Sequence, residues 1–158
     1  MYFKKIDHEA TIDDIKEYNY PYQKLGVIVQ IKDKDQNILL QQRGHKSRDD
    51  KGLYEDIGGK LEEYDIDFRQ AIKRELKEEI GEDANIEISN SIGIYHRYNN
   101  DTNWVFIIYA GKYISSELKI MEPDKCLGYN FFTKEEALNS NLVTESSKYL
   151  IKELDNCY

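Results

Sequence analysis

The stretch Phe68–Ile80 constrains the fold more than any other, because it reads as a helix with part of its charge on the buried side. Asp67, with Gln70 three residues on, marks a helix start, and Gly81 marks the stop. On a wheel of about 100° per residue with Phe68 at zero, Phe68, Ala71, Ile72, Leu76 and Ile80 fall between about 300° and about 120°. That stripe has to be covered. Arg69, Gln70, Lys73, Arg74 and Lys77 occupy roughly 100–240°, mostly the wet side. Glu79 falls at about 20°, inside the apolar stripe, Glu75 at about 340°, beside it, and Glu78 at about 280°, flanking both. An acidic helix with an ordinary solvated face carries its glutamates opposite the stripe. An unpaired buried carboxylate costs on the order of several kcal/mol, so it neutralises or finds a partner. Glu75 and Glu79 are also an i,i+4 like-charge pair, destabilising by roughly 0.2–0.5 kcal/mol even in water. A hard divalent cation resolves these conflicts, since oxygen ligands suit Mg²⁺. The alternative is that Arg74 or a lysine elsewhere pairs with the acids.

The rest of the chain reads as a layered α/β domain over residues 1–158, with no repeat and no Gly/Ser/Pro linker. Thr11 with Asp14 resembles a capping box and predicts a short helix over 12–18. Leu25, Val27, Val29 and Ile31 alternate as a strand with one apolar face, and the polar stretch 32–37 turns the chain into a second strand, Ile38 to Arg43. Residues 44–57 are charged and irregular and lead to Gly58-Gly59, a pair that permits close backbone approach to a ligand or metal. Strands are expected over 86–98, 103–113 and 127–132, a short helix capped by Thr133 and Glu136, and a last amphipathic helix from Thr144 to about 155.

With 30 acidic against 22 basic residues, a net charge of −8, the chain lacks the basic face that general nucleic-acid binding requires. The longest apolar run, Trp104–Ala110, is far short of the roughly 20 residues that span a bilayer. The first residues lack an apolar signal core, and two cysteines, Cys126 and Cys157, make no disulfide framework; a cytoplasmic protein with reduced thiols is the expectation. Tyr18, Tyr20 and Tyr22 are read as exposed aromatics of an N-terminal interface, and a homodimer is one expectation.

Gly59-Lys-Leu-Glu-Glu-Tyr-Asp65, followed by Arg74-Glu75-Leu76-Lys77-Glu78-Glu79-Ile80-Gly81, resembles the signature of the MutT-like Nudix hydrolases, G-x(5)-E-x(7)-R-E-U-x-E-E-x-G-U. Asp65 stands where the first Glu is usual, eight residues rather than seven separate it from Arg74, and Glu82 takes a usually apolar position. The resemblance implies an α/β/α sandwich with a mixed sheet, and Mg²⁺ or Mn²⁺ held by Glu75, Glu78 and Glu79, with the backbone carbonyl at Gly59 or its neighbour Gly58 completing the shell. It implies that Arg74 orients a glutamate. The general base would be Glu79, with Glu122 as the alternative from a later loop. Arg43, Gly59, Lys60 and Tyr129 would contact substrate, although a surface role serves Arg43 equally well. Tyr129 or Trp104 would stack on a base, with core packing the better expectation for Trp104. His96 is read first as a structural or surface histidine.

The implied reaction is metal-assisted attack of water on the phosphorus of a small nucleotide, most simply a nucleoside triphosphate. The alternatives are ADP-ribose, a nucleotide sugar or a capped RNA end, and a Nudix-fold binding module without turnover.

Overall fold

The computed structural model describes residues 1–47, 49–99, 101–115, 118–155 and 157. Its spine is β2 (Gln23–Lys32), which runs parallel to β7 (Thr102–Ser115) from the Gln23–Asn103 pair to the Lys32–Lys112 pair. The other edge of β2 pairs antiparallel with β5 (Ile57–Lys60) and, at Ile31 and Lys32, with β3 (Ile38–Arg43). Outward from β7 lie β6 (Asn85–Asn99) and then β1 (Tyr2–Lys5), both antiparallel to their neighbours. Outward from β3 lie β8 (Cys126–Phe132) and the two-residue β4 (Tyr54–Glu55). Eight strands thus form one mixed sheet among the described residues.

Among the described residues three α-helices cover it. Val27, Val29 and Ile31 of β2 pack with Ala71, Ile72, Leu76 and Ile80 of α1 (Phe68–Ile80). Ile28, between them, points the other way, toward Leu150 and Leu154 at the end of α3 (Glu145–Glu153). Beside it, Ala137 of α2 (Lys134–Asn139) and Ile151 of α3 close over Ile38 and Leu40 of β3. The result is the α/β/α sandwich with a mixed sheet. β2 departs from the one-faced strand that its alternation predicts: Ile28 and Gln30 are buried as well, because a helix layer lies on each face.

Local chemistry sets the helix ends. The Asp67 carboxylate accepts from the Gln70 N–H at 2.8 Å, and Gly81 closes α1 at φ 92°. Thr133 and Glu136 form a reciprocal capping box at α2, and Thr144 caps α3 through Ser147. The expected helix over 12–18 is a single 3-10 turn, Ile12–Ile15. Tyr18 belongs to the core rather than to an exposed interface. Tyr20 stacks on His96 at 4.0 Å, and only Tyr22 of the three is well exposed. The segment read as irregular, 44–57, holds β4 and the first residue of β5.

Candidate active site

The site is built where α1 lies against β5. Glu75 is buried, and its carboxylate rests on the backbone of Gly59. A Cβ at position 59 would stand 2.3–2.5 Å from the three carboxyl atoms of Glu75, so any side chain there would displace the carboxylate from its place on the strand. Burial raises the Glu75 carboxyl above the usual range, against the pull of Arg74 and with the charge of Glu78 adding to the rise. Glu79, one turn on, is raised well above it. Burial is the main cause, followed by the charges of Glu75 and Glu55, with Gln41 opposing. One Glu79 carboxylate oxygen is buried without a hydrogen-bond partner among the described residues. Glu78 is the exposed member of the trio.

Arg74 ties the group together. It donates through Nε and Nη2 to the two oxygens of Asp65, both at 2.9 Å, and through Nη1 to Glu75 at 3.0 Å and Glu78 at 3.2 Å. Nη2 also reaches the Lys60 carbonyl at 3.1 Å, while Lys60 itself is exposed. Tyr64 lies under the guanidinium at 5.4 Å. The pairing of Arg74 with the acids, one of the two readings open from sequence, is therefore present for Glu75 and Glu78. Glu79 is outside its reach. Among the described residues no three acidic, histidine or cysteine side chains stand as a preformed ligand cluster. The donor chemistry nevertheless fits a hard divalent ion. All the donors are oxygens, two of the carboxyls are buried against each other, and one oxygen is left without a partner.

Two cavities meet beside this pair. The first, about 270 Å³, is lined by Gln41, Arg43, Glu55, Glu79, Glu122 and Lys125 among others. Arg43 is clamped at its edge, with Nη1 to Glu55 at 2.6 Å and Nη2 to Asp49 at 3.0 Å. Burial raises the Glu55 carboxyl and the Arg43 charge opposes the rise. Glu122 stands at the rim in an ion pair with Lys125 at 3.1 Å. The second cavity, about 240 Å³, shares Arg43, Glu55 and Gly58 with the first and continues toward α3 between Asp56, Arg97, Trp104 and Phe106.

The structure brings together Glu75, Glu79, Arg74 and Gly59, with Arg43 and Glu122 across the first cavity. It does not bring Tyr129 there. That ring packs against the core under α1, and its hydroxyl is within reach of the Glu79 and Lys119 carbonyls. Trp104 stacks on Phe106 at 5.1 Å and also borders the second cavity. His96 contacts Asn103 at 3.0 Å, away from both. Sequence reasoning missed Glu55, Asp56, Arg97 and Lys125. The first two hide in a segment without periodicity, and Arg97 lies on a strand whose pattern gives no hint of a cavity.

The family model of the NUDIX domain matches residues 23–154. The chain belongs to the Nudix family. A 62-residue stretch is 47% identical to the CTP pyrophosphohydrolase of Escherichia coli (strain K12), spanning 39% of this chain and 44% of that protein. The fold superimposes on a MutT Nudix hydrolase from Burkholderia pseudomallei with a TM-score of 0.69 and 22% identity, over 85% of this chain and 99% of that one. It also superimposes on the Nudix domain of Shewanella oneidensis NrtR, solved with ADP ribose, with a TM-score of 0.66 and 19% identity, over 92% and 97%. For a Nudix chain the instructive departure is Asp65. Its side chain is one methylene shorter than the usual Glu, and the loop behind it is one residue longer. The bidentate bond to Arg74 is made all the same.

Proposed function

We propose that this Nudix protein hydrolyses a nucleoside triphosphate as a Mg²⁺- or Mn²⁺-dependent pyrophosphohydrolase. The observation that carries the reading is the Glu75–Glu79 pair, with Glu75 seated on the backbone of Gly59 and a buried oxygen of Glu79 unpartnered among the described residues. Glu75, Glu78, Glu79 and the Gly59 carbonyl would hold the ion. Bound there, it would polarise the phosphoryl oxygens and lower the pKa of the attacking water.

The chain's own residues supply the rest. Arg74, fixed by Asp65, holds Glu75 in place and leaves Glu79 free to act on a proton. Glu79 takes the proton of the attacking water. Glu122, already paired with Lys125, is the alternative base. Arg43, held by Glu55 and Asp49, presents positive charge at the junction of the two cavities, where a phosphate chain would lie. The second cavity then receives the nucleoside end, with Lys60 at its mouth and Trp104 on its wall.

The name of the Escherichia coli relative makes CTP the first substrate to try. The test is a panel of CTP, UTP, ATP, GTP and ADP-ribose with Mg²⁺, with released phosphate and pyrophosphate distinguished. A triphosphate should be the best substrate, and Glu79→Gln should lower its turnover about 10²- to 10⁴-fold. Faster cleavage of ADP-ribose than of every triphosphate would overturn the substrate class. An unchanged rate in Glu79→Gln would remove this site from the chemistry.

A further inference from the structure

We propose that Asp56 selects nucleobases carrying an exocyclic amino group, accepting hydrogen bonds from that group at the wall of the second cavity. The proposal rests on reading the chain as a nucleotide-binding one, and it adds a residue and a selectivity that the reading does not contain.

Asp56 is only 7% exposed, yet neither carboxyl oxygen is in hydrogen-bonding geometry with any described group. A buried carboxyl left so is costly unless something donates to it. No neighbouring donor meets these oxygens in hydrogen-bonding geometry, although the Ser147 hydroxyl lies nearby. Ser147 accepts from the Asp56 N–H at 3.0 Å, and Arg43 is committed to Glu55 and Asp49. Arg97 lines the same cavity but makes no ion pair with Asp56. Its guanidinium lies over the Phe106 ring at 5.1 Å, and its buried Nε is itself without a partner. An acceptor and a donor thus lie buried in the wall of one cavity and are not spent on each other.

Part of the wall is aromatic, made by two rings stacked on each other. Trp104 and Phe106 lie nearly parallel, 6° apart, and both border the cavity. Because Arg43, Glu55 and Gly58 are common to both cavities, a molecule with its phosphates beside Glu79 extends its other end toward Asp56. A carboxylate oxygen there attracts an amino group and repels a carbonyl at the same ring position, while Arg97 can donate to a ring carbonyl. Cytosine and uracil differ at C4, an amino group against a carbonyl, and at the adjacent N3, an acceptor against an N–H donor, and are otherwise the same ring, which makes them a close pair of probes. Burial lifts the Asp56 carboxyl to about 7, with the nearby Ser147 hydroxyl opposing, so both oxygens act as acceptors at pH 8.

The test needs no turnover. Trp104 is the only tryptophan of the chain, and its fluorescence reports occupancy of the cavity it borders. The full chain is titrated with CMP and with UMP at pH 8 without metal. CMP should bind about ten- to a hundredfold more tightly than UMP. In Asp56→Asn the ratio should fall to about unity or reverse, because an amide can donate to the uracil carbonyl. Equal affinities in the natural chain, a ratio unchanged in Asp56→Asn, or no saturable response would overturn the proposal. Should the variant not fold, the natural chain's CMP-to-UMP ratio decides alone. The enzymatic reading fails separately: CMP preference without any CTP hydrolysis would remove the reaction and leave Asp56 its role. Hydrolysis without a preference would do the reverse.

Discussion

On the α1 side of the Gly58-Gly59 strand, Glu75 and Glu79 are buried against each other, and Arg74 reaches only the first. On the α3 side, Asp56 is buried with neither oxygen in hydrogen-bonding geometry, and only the Ser147 hydroxyl and the charge of Glu55 act on it from nearby. Both places hold carboxyls away from water, and burial raises all three. The difference lies in what each lacks. Crowded acids need positive charge between them, which a cation supplies to all at once. A solitary acid needs a directed hydrogen bond, which a neutral amino group supplies without adding charge. One strand thus separates a place suited to an ion from a place suited to the edge of a ring.

Three experiments press on that contrast. The largest effect is expected at the brace of the crowded side. Asp65 is almost fully buried and makes two bonds to Arg74, so Asp65→Ala should cost about 3–5 kcal/mol, or about 10 °C in melting temperature. A loss below about 2 °C would mean that Arg74 does not depend on it.

Next is the pH response of the solitary side. The Asp56 carboxyl moves from 3.8 to about 7 on folding, so the native chain holds a proton that the unfolded chain has released. Its contribution to stability is present at low pH and is lost as pH rises through about 7. Asp56→Asn should therefore gain about 2–3 kcal/mol on the natural chain between pH 5 and pH 8. Parallel melting curves at both pH values check it, and a gap independent of pH would sink it.

The smallest effect separates the two sides directly. Mg²⁺ at ten times its Kd should add about 1.4 kcal/mol, or about 3–5 °C. That shift should vanish in Glu79→Gln and persist in Asp56→Asn. A shift lost in both would merge the two places into one.

Much of the crowded side could be read from the chain alone. Helical period, the Asp67 and Gly81 ends and the offset of Glu75 and Glu79 toward the apolar stripe are local properties, and α1 forms over the expected residues. The caps at Thr133 and Thr144 are local in the same sense. What escaped depends on distant partners. β5 contains two glycines in four residues and has little strand propensity of its own; pairing with β2 makes it a strand. β1 is short and mostly exposed, defined by its register with β6. Asp56 and Arg97 lie 41 positions apart in the chain and meet only through sheet order, so no spacing announces the cavity between them.

The contact between Gly59 and Glu75 also governs how this gene can drift. The volume that a single methyl would fill at position 59 is already held by the Glu75 carboxylate. Every residue reachable from a glycine codon by one base change brings a Cβ with it. Each such mutation therefore pushes the glutamate off its seat and sets a side chain in the place its carboxylate now holds. Any step away from glycine at position 59 is thus a step in the placement of Glu75, so the two positions drift together.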